Sequence, residues 1–306
     1  MIFKKPAGII LAAGLFLTGC SSSGEDEYKF VSPEAENVEH LHGSGYPGSG
    51  ESFFIATHNG LFKYEDNEWT ESNSNKHDYM GFAPYMEGFY SSGHPEHGSD
   101  LKNPLGLVKS KDSGKTLDKL AFYGETDFHY LTAGYESGKL YVLNEAPNSE
   151  LEAGFYSSSD EGETWDKLDM KGVEPDILVS MAAHPTDQNL VGVSSQAGVY
   201  LSKDGGNTFT PVTEGKPATS IAFTEQKGIY SVIDGESIKL VEFDLDTLEE
   251  TEYRLPSLKA DNPIMYIAVN PDDSAELTVV TYKNDIYQSK DGGSNWKEIM
   301  DAGDPR

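Results

Sequence analysis

The feature that most constrains the fold of this chain is a short segment that occurs four times. Each copy fits Ser-x-Asp-x-Gly-x-Thr/Asn followed by an aromatic residue or Leu, and the copies end at Leu117, Trp165, Phe209 and Trp296. These end points are 48, 44 and 87 residues apart. The last interval is close to twice the one before it, so one repeat lacks the segment. A period of this length is typical of four short antiparallel strands that bury both faces only between neighbouring copies.

Two further aromatic residues continue the same period. Tyr253 lies 44 residues after Phe209, and Trp69 lies 48 residues before Leu117. The six units therefore end near residues 69, 117, 165, 209, 253 and 296, and they predict an all-β fold, a single six-bladed β-propeller. A seventh blade also fits if residues 38–57 hide a shortened unit. Because an open ring would expose two sheet edges, we expect residues 38–45 to supply a closing strand.

The repeated segment resembles the Asp-box, or bacterial neuraminidase repeat, of sialidases, sortilin-like receptors and photosystem II assembly factors. Its physical logic is that of a turn. The Asp carboxylate can accept backbone N–H groups of its own turn, the Gly can adopt a positive φ, and the final aromatic ring can pack between sheets. We therefore predict structural roles for its four aspartates, which are Asp112, Asp160, Asp204 and Asp291.

The amino terminus has the order of residues found in a secretory signal. Lys4 and Lys5 precede an apolar run at residues 7–17 that is too short to span a bilayer, and small residues follow it. The sequence Leu17-Thr-Gly-Cys20 resembles a bacterial lipobox, and Cys20 is the single cysteine in the chain. We predict a signal peptide at residues 1–19 and lipidation of Cys20. A cleaved signal followed by an incidental cysteine is the alternative.

Composition and charge bear on the location and the partners. The predicted organisation is a tether at residues 20–37 and a propeller domain at residues 38–306, held by its lipid at the outer face of the cytoplasmic membrane. The chain has 51 acidic and 23 basic residues, a net charge of −28. This excess of acid argues against nucleic acid as a partner and means that acyl chains, rather than charge, hold the domain at a membrane.

Seven of the eight histidines are predicted to share one rim of the propeller. They fall before the inner strands or in the loops that follow second strands, so the repeat brings them to the same end. Convergent His and carboxylate groups are what a zinc or copper site requires. A propeller mouth can also hold unrelated histidines that only satisfy loop backbone, and both interpretations stay open. The predicted metal ligands are His40, His42, His58, His77, His94, His97 and His129.

Several blocks of the chain resemble exported lipoproteins of Gram-positive bacteria that carry a glycosylhydrolase family label. The blocks are residues 39–43, 56–62, 88–95, 98–106 and 127–129. The resemblance implies a sialidase-like propeller and suggests action on carbohydrate. Sialidases clamp the sugar carboxylate with three arginines, whereas this chain contains only Arg254 and Arg306. A sialidase of the usual kind is therefore excluded.

Two main functions remain at this stage, and whether the protein is an enzyme stays open. The preferred one is binding of a metal ion, a ligand or a protein partner through the His-rich rim. The alternative is a glycoside hydrolase that acts on envelope or extracellular carbohydrate with a pair of carboxylates. A pure protein-interaction platform is a third. Among 51 acidic residues no pair stands out, and the candidate catalytic carboxylates are Asp78, Glu96, Asp100 and Asp127, with Glu145 on the same rim.

Overall fold

The computed structural model describes residues 1, 27–34, 36–174 and 177–305. The predicted signal peptide and Cys20 lie outside these residues. The described part of the chain is all β, without an α-helix, and it holds no helix of the length and apolarity needed to cross a bilayer. Its strands are β1 (Phe30–Val31), β2 (Leu41–Gly45), β3 (Phe53–Thr57), β4 (Gly60–Glu65), β5 (Glu68–Ser72), β6 (Asp78–Tyr85), β7 (Gly88–His94), β8 (Leu107–Ser110), β9 (Asp118–Ala121), β10 (Tyr130–Ala133), β11 (Leu140–Asn144), β12 (Gly154–Ser158), β13 (Asp166–Leu168), β14 (Leu178–Ala183), β15 (Val191–Ser195), β16 (Gly198–Ser202), β17 (Thr210–Glu214), β18 (Ala218–Phe223), β19 (Lys227–Asp234), β20 (Ser237–Asp244), β21 (Glu250–Glu252), β22 (Ile264–Val269), β23 (Leu277–Thr281), β24 (Ile286–Ser289) and β25 (Lys297–Met300).

These strands form six antiparallel sheets, which confirms the predicted six-bladed propeller. Blade 1 contains β1–β5, blade 2 β6–β9, blade 3 β10–β13, blade 4 β14–β17, blade 5 β18–β21 and blade 6 β22–β25. Each blade runs outward from an inner strand, and the inner strands line the central tunnel. Residues 38–57 contain β2 and β3 of blade 1, so within the described chain they do not form a seventh blade.

Blade 1 has a fifth strand that changes the predicted boundary of the tether. Residues Phe30 and Val31 pair with β5 on the outer edge of the blade, although residues 20–37 were predicted to be a tether. The Phe30 ring meets the ring of Phe54 edge-on at 5.7 Å, and the Tyr28 hydroxyl donates to the Ser113 carbonyl at 2.5 Å. Burial of the apolar Phe30 ring against Phe54 favours binding of this segment to the blade. The ordered domain therefore begins before residue 38.

The ring closes in a different way from the one predicted. Residues 38–45 do not add a strand to the last blade, because Leu41–Gly45 is the inner strand of blade 1 and blade 6 takes all four of its strands from Ile264–Met300. Individual bonds join the two blades instead. The Val38 N–H donates to the Gly303 carbonyl at 2.7 Å, and the Trp69 indole N–H donates to the Ile299 carbonyl at 2.7 Å. One buried apolar cluster contains residues of both blades.

The four repeated segments form turns with the same hydrogen bonds. In each turn the Ser hydroxyl accepts the N–H of the Gly at 2.8–2.9 Å, and an Asp oxygen accepts the N–H of the following Thr or Asn at 2.8–2.9 Å. The Gly has a φ between +77° and +94°, a region that a side chain would disfavour. The turn is thus held by its own polar groups, and the residue that ends it packs into an apolar cluster.

Candidate metal centre

Four of the six inner strands have a β-bulge near their first residues, at the tunnel mouth. In β2 the pairing with β3 shifts at His42, and comparable bulges occur at Val179, Thr219 and Met265 of blades 4, 5 and 6. A β-bulge re-aims the side chain of the extra residue. His129 of blade 3 has the position equivalent to that of His42. The residue after His129 pairs with Leu143, the penultimate residue of β11, and the residue after His42 pairs with Ala56, the penultimate residue of β3.

A first cluster at the mouth joins His42 and His58 of blade 1 to Asp78 of blade 2. His58 Nδ1 lies 2.7 Å from Asp78 Oδ2, His42 Nε2 lies 3.4 Å from Asp78 Oδ1, and the two ring nitrogens are 3.2 Å apart. His58 lies in the turn between β3 and β4, whereas Asp78 begins β6. Three ligand atoms therefore converge from three separate places in the chain, within 4.8 Å of one another.

Burial keeps His42 neutral at physiological pH. Burial, with smaller contributions from the neighbouring His58 and His40, lowers the pKa of the His42 imidazole to about 4, although the Asp78 carboxylate opposes them. A neutral imidazole has a lone pair for a metal ion. The Asp78 oxygen Oδ1 is buried and has no hydrogen-bond partner among the described residues. The cluster thus places an imidazole nitrogen that can ligate a metal ion beside a carboxylate oxygen that accepts no hydrogen bond.

A second cluster joins His94 of blade 2 to Asp127, His129 and Glu145 of blade 3. The Nε2 atoms of His94 and His129 lie 3.2 and 3.4 Å from the same oxygen, Oδ2 of Asp127. The other ring nitrogens contact outer groups: His94 Nδ1 lies 2.6 Å from Asn103 Oδ1, and His129 Nδ1 lies 3.0 Å from a Glu145 oxygen. Asp127 is thus the centre of the cluster, with a histidine on each side.

The two clusters belong to one electrostatic environment. Burial raises the pKa of Asp127, the charges of Asp78 and Glu145 raise it further, and His129 and His94 oppose that rise. His129 likewise acts on His42. Since the Asp127 side chain is only 14% exposed while its histidines are about half exposed, the carboxylate forms the floor and the rings form the rim.

The remaining predicted residues lie near these clusters or apart from them. The His40 ring packs on the His58 ring at 4.9 Å between centroids. His77 is buried, its Nδ1 accepts the N–H of Glu96 at 2.9 Å, and burial lowers its pKa. The Glu96 carboxylate accepts the Lys76 N–H at 3.1 Å. His97 and Asp100 are exposed and belong to neither cluster.

His184 lies at the other end of its blade, as the topology predicts. It follows the last residue of β14, and its Nδ1 accepts the N–H of Asp187 at 2.9 Å. The Nε2 atom lies 3.1 Å from the carbonyl oxygen of Glu225, to which it donates. Both ring nitrogens are therefore engaged with backbone, in the way that a structural histidine of a loop is.

The geometry of the first cluster suits a small transition-metal ion. A tetrahedral Zn²⁺ ion with bonds of about 2.0–2.1 Å holds its ligand atoms about 3.4 Å apart. In the first cluster the separations of 3.4 Å between His42 Nε2 and Asp78 Oδ1 and of 3.2 Å between the two ring nitrogens are of this size, and Asp78 Oδ2 lies closer to His58, at 2.7 Å. Among the described residues, this is the one group whose three ligand atoms all lie within 4.8 Å of one another. Two imidazoles and one carboxylate leave a coordination position for water or another ligand. Below the mouth the tunnel encloses a cavity of about 280 Å³.

Sequence reasoning missed Asn103 altogether. It lies in the polar insertion between β7 and β8, where several residues carry hydrogen-bonding side chains. The spacing of His94 and Asn103 in the sequence does not show that the loop folds back on the end of β7. Only the path of the loop brings the amide oxygen to the imidazole.

Comparisons with known proteins identify the fold and no family. No protein-family model and no curated protein matches this chain. Similar solved structures include the GH74 enzyme of Niastella koreensis, at 15% identity and a TM-score of 0.57, over 88% of this chain and 46% of that one. An ancestral GH74 enzyme is similar at 12% identity and a TM-score of 0.54, over 89% of this chain and 40% of that one.

A third similar structure is matched over nearly its whole length. YCF48 bound to D1 peptide shares 13% identity at a TM-score of 0.51, over 92% of this chain and 88% of that one. This chain spans less than half of the two GH74 enzymes. At such identities the likeness establishes a β-propeller fold, and it leaves the chemistry of this chain to its own residues.

Proposed function

We propose that this protein binds a divalent transition-metal ion, Zn²⁺ or Cu²⁺, at the mouth of the propeller. The observation that carries the proposal is the convergence of His42, His58 and Asp78 within 4.8 Å. Imidazole nitrogen is a ligand that suits both ions, and one carboxylate completes a three-residue set with an open position. The acidic chain, at a net charge of −28, also attracts cations.

The proposed place of action is the outer face of the cytoplasmic membrane. The support is the signal-like residues 1–19 and the lipobox-like sequence that ends at Cys20. A lipid on Cys20 would keep the binding site at the surface, where it can capture a metal ion from outside the cell. The open coordination position would then serve a ligand or a partner protein that takes over the ion.

Metal analysis of the full-length protein, purified in detergent without an affinity tag, tests the metal site. After dialysis against Zn²⁺ or Cu²⁺, the H42A/H58A double variant should hold one equivalent less than the wild type. The matched control is H97A, which removes an exposed histidine of the same rim and should bind as the wild type does. A double variant that is folded and holds the wild-type amount of metal would contradict the proposal.

The same protein preparation also tests the glycoside hydrolase alternative, by an assay of sugar release. Asp78 and Asp127 are its best-placed carboxylates, since both lie at the mouth. Release of sugar from wall polysaccharide by metal-free protein, abolished in D78N and D127N, would favour the hydrolase. Metal binding without sugar release would favour the proposal.

A further inference from the structure

We propose that Met265 of blade 6 supplies the fourth ligand of the first cluster and makes this site selective for copper in the Cu⁺ state. This role rests on the proposed function, because His42, His58 and Asp78 provide the first three ligands. The thioether sulfur of Met265 then fills the coordination position that these three residues leave open.

Met265 has the same place in blade 6 that His42 has in blade 1, the next blade of the closed ring. The residues before and after Met265 pair with consecutive residues of β23, and the residues before and after His42 pair with consecutive residues of β3. Each of the two is therefore the extra residue of a β-bulge, whose side chain is re-aimed. Both residues line the tunnel cavity of about 280 Å³. Met265 and His42 are thus neighbours around the mouth.

A hydrogen bond joins the two bulges across the boundary between the blades. The hydroxyl of Tyr266, which follows Met265, donates to the carbonyl of Leu41, which precedes His42, at 3.1 Å. Tyr266 and Leu41 also pack against the apolar cluster that blades 1 and 6 share. The relative position of Met265 and His42 is therefore set by contacts of the residues directly beside them.

Met265 also lies next to the outer side of the first cluster. A cavity of about 570 Å³ is lined by both Met265 and His40. The ring of His40 packs on that of His58 at 4.9 Å between centroids. Asp78 belongs to blade 2 and Met265 to blade 6, so the two flank blade 1 from opposite sides. A ligand from blade 6 therefore complements the carboxylate from blade 2.

Apolar packing does not account for a methionine at this position. Met265 is half buried, and among the described residues it belongs to none of the apolar clusters of the blades. Met181 lines the same tunnel cavity but packs against the apolar cluster of blades 3 and 4. The unbranched side chain of methionine, with three rotatable bonds and a polarizable sulfur, adapts to irregular surroundings. The sulfur of Met265 is thus available for a ligand role.

The thioether determines which ion the site prefers. The protein ligands of Zn²⁺ are Cys, His, Asp and Glu, so Zn²⁺ gains little from Met265 and keeps water in the fourth position. Thioether sulfur is a soft ligand that suits Cu⁺, and imidazole is a ligand of copper as well. Two imidazoles and the thioether are neutral, and the Asp78 carboxylate balances the charge of the ion. Met265 therefore raises the affinity for Cu⁺ and leaves that for Zn²⁺ unchanged.

The test is a titration of metal-free full-length protein with Cu⁺ in the absence of oxygen, in competition with the chelator bicinchoninate, beside a titration with Zn²⁺. M265L removes the sulfur and nearly conserves the volume of the side chain. It should weaken Cu⁺ binding at least about tenfold, or about 1.4 kcal/mol, and leave Zn²⁺ binding as in the wild type. The matched control is M181L, which should bind both ions as the wild type does.

X-ray absorption of the Cu⁺-loaded protein gives a second readout. The wild type and M181L should show sulfur bonded to copper, and M265L should show only nitrogen and oxygen. Equal Cu⁺ affinity in M265L and the wild type, or an equal loss of Cu⁺ and Zn²⁺ binding in M265L, would overturn the role of Met265 and leave the first cluster as a metal site. A wild type that binds neither ion would refute the proposed function itself, and the role of Met265 with it.

Discussion

Two groups of aspartates in this protein have opposite surroundings. In the four repeated turns each Asp accepts a backbone N–H and the hydroxyl of the Ser two residues earlier, as Asp160 does from Thr164 and Ser158 at 2.9 and 2.7 Å. At the mouth, Asp78 and Asp127 face imidazoles and each has one buried oxygen without a donor. A carboxylate that accepts several hydrogen bonds stabilises its turn, whereas a carboxylate with an oxygen that accepts none is available for a ligand.

The pKa values follow the same division. Side-chain and backbone hydrogen bonds from Thr164 lower the pKa of Asp160 to about 2, while burial raises that of Asp127. The charged form is favoured for Asp160 in its turn and disfavoured for Asp127 at the mouth. We therefore expect loss of a turn Asp to cost stability and loss of a mouth Asp to cost binding.

The largest effect should come from the mouth. D78N removes the anionic ligand of the first cluster, and we expect its metal affinity at that site to fall at least about 100-fold, or about 2.7 kcal/mol. Isothermal titration with Zn²⁺ measures the loss. D204N, which changes a turn Asp in the same way, is the matched control and should keep the wild-type affinity. Equal losses in the two variants would erase the distinction between the two groups.

The next effect concerns a turn rather than the mouth. Ser202 is fully buried, and its hydroxyl accepts the Gly206 N–H at 2.8 Å. S202A leaves that N–H without its acceptor, so we expect the free energy of unfolding to fall by about 1–3 kcal/mol. Denaturant unfolding measures the change, with S274A at an exposed serine as control. Metal binding by S202A should match the wild type, and a parallel loss of binding would contradict the assignment.

Acid should weaken the turns. The folded-state pKa of Asp160, about 2, lies below its ordinary value of 3.8, so its contribution to stability is present at neutral pH and is lost as the pH falls from about 4 towards 2. D160N lacks this contribution. The difference in unfolding free energy between wild type and D160N should therefore shrink over that interval. A difference that stays constant across these pH values would refute the linkage.

The smallest expected effect is a gain in stability, whereas the other variants lose stability or affinity. Because the pKa of Asp127 is raised in the folded protein, its charge destabilises the metal-free fold at neutral pH, and this cost disappears as the pH falls through the folded-state pKa. Metal-free D127N should be slightly more stable than the wild type at neutral pH, and the gain should vanish in acid. Thermal unfolding of both proteins in the presence of a chelator measures it. Lower stability of D127N would contradict the account.

Much of the fold could be predicted from the period of the sequence. Six units that end 43–48 residues apart specify six blades, even in blade 5, where the repeated turn is missing but β21 ends directly before Tyr253. The edge strand at Phe30 was not predicted, and ring closure was predicted through a strand at residues 38–45 rather than through single bonds such as the one from Val38. They depend on single rings and bonds between distant residues, which leave no periodic signal.

Less of the site could be predicted. The repeat indicates which histidines share the rim, but their grouping depends on side-chain direction. The bulge at His42 and the folding of the insertion that brings Asn103 to His94 decide which rings face a carboxylate. His77 illustrates the difference: it has the same rim position by topology, yet its ring is buried and accepts the N–H of Glu96.

Anomalous diffraction from crystals of the full-length protein soaked in Zn²⁺ tests the central claim most directly. The account predicts a peak bonded to His42, His58 and Asp78, with Zn–N distances of about 2.0–2.1 Å. Peaks confined to exposed carboxylates, with none at the mouth under saturating Zn²⁺, would contradict it.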